Sequence, residues 1–199
     1  VVNPFLQNKM GSDNFGVVLS LISVVSIVAI SFGTSFNYSR MIASSKKRNC
    51  NSDYFLFLIL TSLICIPVCI ISLKFFNEFS LPNIFLYSIL CIFTLFRYYA
   101  DVNYRLNSNF KGFFLFYFLM SLGYLAGVAF FSFSKSWAII YILAEALALI
   151  YVFIKGDVFK CNPLNITPEV KSNFKSAYTL ILSNFISSAV ANIDRPLIL

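Results

Sequence analysis

Long apolar runs alternate along this chain with short polar connections, most of them basic. The runs cover 15–36, 54–75, 81–99, 110–133 and 137–154. At a helical rise of about 1.5 Å per residue, most match a hydrocarbon core about 30 Å thick. The strictly apolar part of the third, Ile84 to Phe96, is shorter. A sixth stretch, Phe174 to Leu199, has spanning length but mixed character. On a helical wheel Ser176, Thr179, Ser183, Ser187 and Asp194 share one narrow face, with Asn184, Ser188 and Arg195 on its flank. Tyr178, Leu182, Phe185, Ile186, Ala189, Val190 and Ile193 cover the opposite side. Hydrocarbon offers an unpaired polar group no partner. Three readings of the polar face therefore stand, in this order: it lines a wet cavity, it glues helices together, or it belongs to an amphipathic helix on the membrane surface. The pattern predicts an all-α polytopic membrane protein with about six spans.

Within the spans a few residues break the apolar rule. The first is entered through Gly11 and Gly16 and carries a stripe of small residues, Gly16, Ser20, Ser23, Ser31 and Thr34, suited to close helix packing. Ser52 or Asp53 is placed to cap the second, and Pro67 predicts a kink near its middle. Arg97, Asp101 and Arg105 follow one another at i, i+4 spacing, a ladder of alternating charge. Either its arginines snorkel from an interfacial helix end, or Arg97 faces a cavity as a phosphate clamp. Gly123 and Gly127 form a GxxxG packing motif. Glu145 stands in the centre of 137–154, as a proton or cation relay or as a hydrogen-bonding link between helices. Pro163 and Pro168 break helical structure in a basic linker, 156–173. Asn165-Ile166-Thr167 is a glycosylation sequon on the expected cytoplasmic side, where it would go unused.

Composition agrees with the pattern. Apolar residues make up 59% of the chain and charged residues 12%, against about 25% charged in soluble domains. Mean hydropathy is +0.81. The net charge of +7 is spread between apolar runs rather than gathered on a surface, so nucleic acid is not the expected partner. Eleven of the fifteen Lys and Arg fall in the connections after the first, third and fifth spans or, as Arg97, Lys111 and Lys175, at the span ends beside them, which places those connections in the cytoplasm. The first span then runs outside to inside. One span is accordingly expected before Val1, which also suits a chain that opens with Val and has no cleavable signal pattern. The expectation is a piece of a longer transporter.

Candidate chemistry is thin. The chain has no histidine, which removes Ser-His and Cys-His nucleophiles and His-based metal sites, so no enzyme and no cofactor are expected. Cys65, Cys69 and Cys91 lie in spans and read as small buried hydrophobes; Cys50 and Cys161 lie in the basic connections, where thiols stay reduced.

Three stretches carry a resemblance. Met10-Gly11-Ser12-Asp13-Asn14-Phe15-Gly16 resembles the entry to the second helix of bacterial polysaccharide flippases. Phe96-Arg97-Tyr98-Tyr99 with Asn103-Tyr104-Arg105 is similar to the end of their fourth helix, and Asn192-Ile193-Asp194-Arg195 to their seventh. The family is the O-antigen and capsule repeat-unit (Wzx-type) branch of the multidrug/oligosaccharidyl-lipid/polysaccharide exporter superfamily. The resemblance implies that residues 1–155 are the first six-helix bundle without its first helix, 156–173 a cytoplasmic linker, and 174–199 the opening helix of the second bundle. It implies transport of undecaprenyl-pyrophosphate-linked oligosaccharide across the bacterial cytoplasmic membrane by alternating access, with lipids and other polysaccharide-assembly proteins as partners. On that reading Ser183, Asn184, Ser187, Ser188 and Asn192 would serve the sugar, and Arg97 and Arg195 the pyrophosphate. Glu145 and Asp194 would couple transport to H+ or Na+. The alternatives are a drug or lipid II exporter of the same superfamily and, from another class, a membrane glycan polymerase. The short outer connections around Asn77 to Ser80 and Ser134 to Ser136 leave a polymerase little room for a site.

Overall fold

The computed structural model describes residues 2–45, 51–155 and 158–192, and every regular element within them is helical. α1 (Val2–Met10) meets α2 (Ser12–Ala29) at Gly11, whose φ of 81° belongs to the left-handed region that glycine enters without strain. α2, a π-helical turn (Ile30–Thr34) and α3 (Ser35–Ser45) continue without interruption as one rod of 34 residues. α4 (Asn51–Phe75), α5 (Leu81–Leu106), α6 (Phe110–Ser134), α7 (Trp137–Lys155) and α8 (Val170–Asn192) follow. Among the described residues five helices are long and apolar enough to cross a membrane: the α2–α3 rod and α4 to α7. The protein is an all-α, multi-pass membrane protein. α8 has 23 residues, but its serines and asparagines keep it less apolar than those five.

The helices run further than the apolar runs at the end of the bundle that carries the basic connections. The first span was expected to stop at Phe36; the rod continues to Ser45 because Phe36, Asn37, Ser39 and Arg40 are buried against neighbouring helices. α5 likewise continues past Tyr99, burying Ala100, Asp101 and Val102. α4 begins at Asn51, one turn earlier than expected, and Asp53 does not cap it. The Asp53 carboxylate instead accepts hydrogen bonds from the Thr167 amide (2.9 Å), the Thr167 hydroxyl (2.6 Å) and Asn173 Nδ2 (2.8 Å). The Tyr54 hydroxyl lies 2.8 Å from that of Ser39 and donates to the Asn173 carbonyl at 3.4 Å. The linker and the first turn of α8 are thus tied to the start of α4. α4 continues helically through Pro67. Lys46, Lys47, Arg48 and Cys50 lie outside the described residues.

Small residues set the helix spacing. A Cβ on Gly123 would fall 2.5 Å from Ala144 Cα, and one on Gly127 2.5 Å from Ile140 Cα, so the GxxxG motif is the α6–α7 contact itself. Gly33, in the π turn, does the same for α5: its Cβ would meet the Leu95 carbonyl at 2.6 Å. Ser20, Ser23 and Ser31 are fully buried, and each donates to the carbonyl four residues back. Such hydroxyls satisfy themselves within the helix and let a neighbour approach. Cys65, Cys69 and Cys91 are buried free thiols in a core with Leu21, Tyr54, Leu58 and Leu95. Outward, α4 and α6 present Leu63, Ile64, Ile71, Phe114 and Phe133, the surface a lipid environment selects.

Candidate functional site

Two polar features lie inside the apolar bundle. The first joins α5 to α7. Arg97 and Glu145 are only 7% and 4% exposed, and Arg97 Nε lies 2.6 Å from Glu145 Oε2. The N–H is not aimed along that line, so the contact is an ion pair rather than an aligned hydrogen bond. The hydroxyl of Thr94, nearly one turn before Arg97, donates to the Leu90 carbonyl at 2.8 Å and lies 3.4 Å from Glu145 Oε1. The guanidinium sits 4.1 Å from the centre of the Tyr98 ring, a cation–π contact. A cavity of about 100 Å³ adjoins the pair, walled by Ile22, Val25 and Ser26 of α2, Tyr124 of α6 and Tyr141 of α7. Glu145 is ninth of nineteen residues in α7, so the pair sits at mid-helix depth. There a charge is costly without a partner.

The ladder expected along α5 is therefore broken. Arg105 pairs with Asp101 four residues back, while Arg97 crosses to a carboxylate on another helix. Sequence spacing favoured Asp101 for both.

The second feature docks α8 onto the π turn. Asn184 Nδ2 donates to Ser35 Oγ at 2.8 Å, and the hydroxyls of Ser188 and Ser31 lie 3.2 Å apart. Asn192 bonds the Ser188 carbonyl in its own helix. The π turn widens the helix locally, an irregularity that often marks functional sites. It puts Ser31 and Ser35 towards α8 and Gly33 against α5. The flank of the predicted polar face makes the contact, together with buried Asn173 and Ala177. Ser176, Thr179, Ser183 and Ser187 remain exposed, as do Tyr178, Leu182, Phe185 and Ile186 on the apolar side. Of the candidate residues, then, the fold joins Arg97 with Glu145 and anchors Asn184 and Ser188; it brings Ser183 and Ser187 to neither feature. Asp194 and Arg195 lie outside the described residues.

One residue took on a new character. Arg40 follows the first expected span, 15–36, in a basic connection with Lys46, Lys47 and Arg48, yet it lies in α3, 6% exposed. The available signal was Asn37, three residues earlier and on the same face if the helix is continued past Phe36. Among the described residues no group of three His, Cys, Asp or Glu is placed to hold a metal. Comparisons with protein-family models, curated protein sequences and solved structures find no match to this chain.

Proposed function

We propose that this chain is part of a carrier that moves undecaprenyl-pyrophosphate-linked oligosaccharide across the bacterial cytoplasmic membrane by alternating access. The observation that carries the reading is the Arg97–Glu145 pair, buried at mid-helix beside a cavity. A scaffold could fill that position with apolar side chains at equal or better stability, so an ion pair kept in a spanning bundle points to a working site. Cargo chemistry rests on the resemblance and on the uncovered hydroxyls of Ser176, Thr179, Ser183 and Ser187. A sugar sheds water readily only against such partners. Two further features favour a carrier over a polymerase: α4 and α5 are separated only by residues 76–80, and α6 and α7 only by 135–136.

The test reconstitutes the intact protein carrying this chain in liposomes that contain a fluorescent lipid-pyrophosphate oligosaccharide. Quenching by a membrane-impermeant reductant then reads translocation. The expected result is wild-type acceleration that falls at least about tenfold in Glu145→Gln, the loss of about 1.4 kcal/mol of differential stabilisation. Wild-type protein that leaves the lipid in place but exports a hydrophobic dye would replace this cargo with a drug.

A further inference from the structure

The basic end of the bundle holds a second buried arginine with a different arrangement. Arg40 donates through Nε (3.1 Å) and Nη2 (2.6 Å) to Asn37 Oδ1, and through Nη2 (3.2 Å) to Asn103 Oδ1. Its guanidinium lies 5.2 Å from the centre of the Tyr99 ring. Among the described residues no carboxylate lies within ion-pair distance of it. A guanidinium has five N–H donors, and those on Nη1 make no hydrogen bond to the described residues. Arg40 borders a cavity of about 430 Å³ at the carboxyl ends of α3, α5 and α7, within the size range of small-molecule sites, about 300–1,000 Å³.

The wall of that cavity is rich in donors. Lys155 adds a second cation, and none of the described residues lining it is acidic. Asn103 Oδ1 already accepts from Arg40 and from Asn107 Nδ2 (3.4 Å), so the free hydrogen-bonding group of Asn103 is its NH2. Asn109 uses its oxygen to cap α6 through the Gly112 amide at 2.9 Å, again leaving NH2 to spare. Two helices also begin in this wall, α4 at Asn51 and α6 after Asn109. Their amino-terminal dipole ends partly offset the carboxyl ends of the other three.

We infer that this cavity is a binding site for a phosphate-class anion, a phosphate monoester, diester or pyrophosphate, gripped by Arg40 and Lys155 with the amide NH2 groups of Asn103 and Asn109. Two cations with several neutral donors suit a multiply charged tetrahedral anion better than a single carboxylate, and a guanidinium forks onto phosphate oxygens. The anion supplies the counter-charge that Arg40 lacks among the described residues. The inference stands on this geometry and does not depend on the transport reading.

Thermal stabilisation of the intact protein, purified in zwitterionic detergent, tests it with three probes: inorganic phosphate, inorganic pyrophosphate, and phosphatidic acid in phosphatidylcholine nanodiscs. Stabilisation by the soluble anions assigns the site to free phosphate compounds; stabilisation by phosphatidic acid alone assigns it to a lipid headgroup. Either supports the site if Lys155→Met weakens binding about tenfold or more. That variant is suited to the purpose, since Lys155 is exposed. Arg40→Lys, which keeps the charge but loses the fork, should also weaken binding about threefold to tenfold. No stabilisation by any probe, or wild-type affinity in both variants, overturns the proposal.

Discussion

Arg97 and Arg40 are almost equally buried in the same bundle, yet their charges are met in opposite ways. Arg97 is answered by an ion, Glu145, 2.6 Å away on another helix. Arg40 is answered by dipoles and a ring: two amide oxygens and the face of Tyr99. The difference matters because a full counter-charge makes a closed, self-sufficient pair, whereas dipoles satisfy the geometry of a cation without cancelling its charge. One arrangement holds helices together and changes only if the pair separates. The other leaves at a cavity wall a positive charge that no described carboxylate pairs with. The α8 seam extends the comparison to a third case, in which neutral groups meet neutral groups.

The largest effect should come from splitting the ion pair. Arg97→Met or Glu145→Met alone strands a buried charge, and each is expected to lower stability by about 3–5 kcal/mol. The double variant removes both charges and should return to within about 1 kcal/mol of wild type. Denaturant unfolding of the intact protein in detergent gives the coupling energy from this cycle. Additive losses would mean that the two residues do not act as a pair. Recovery of stability without recovery of translocation would separate the structural role of the pair from its proposed role in transport.

Arg40→Met comes next. It deprives the Asn37 and Asn103 oxygens of their donor but leaves no charge behind, so the expected loss is about 1–3 kcal/mol by the same measurement. A loss as large as that of Arg97→Met would show that Arg40 has a full counter-charge in the protein, and the contrast between the two arginines would collapse.

What could be read in the sequence follows the same division between local and distant causes. The spans were legible because lipid imposes apolarity residue by residue, and Gly123 and Gly127 because their spacing on one helix is itself the contact. The extension of the rod to Ser45 was not. Asn37, Ser39 and Arg40 read as loop residues until neighbouring helices bury them, and burial is a property of the assembled bundle. Glu145 was visible as an anomaly, but its partner Arg97 lies 48 positions away, and local spacing assigned Arg97 to Asp101 instead. Asp53 had the spacing of a cap and became a clamp on Thr167 and Asn173, 114 and 120 positions distant. The π turn has no local signature here; it is visible only through what its residues touch on α5 and α8.

The smallest effect belongs to the neutral seam, and it bears on how α8 can move. At its first turn α8 is held through Asn173 by the buried carboxylate of Asp53, an ionic acceptor with three donors. Further along it is held by the Asn184–Ser35 bond and the Ser188–Ser31 contact. Hydrogen bonds between membrane helices contribute about 0.6 kcal/mol on average, while those to a charged group reach about 1.5–3 kcal/mol. Asn184→Ala and Ser188→Ala should therefore each lower stability by only about 0.6 kcal/mol, and Asp53→Asn by more. The same inequality predicts that in any movement of α8 the clamp is the pivot and the seam the part that opens. Spin labels at Ile22 of α2 and Val190 of α8 should report a broader distance distribution in the Asn184→Ala/Ser188→Ala double variant. Labels at Phe55 and Lys171, beside the clamp, should report an unchanged one. Broadening at the clamp instead would reverse the order of strengths and make the π turn, rather than Asp53, the fixed point of α8.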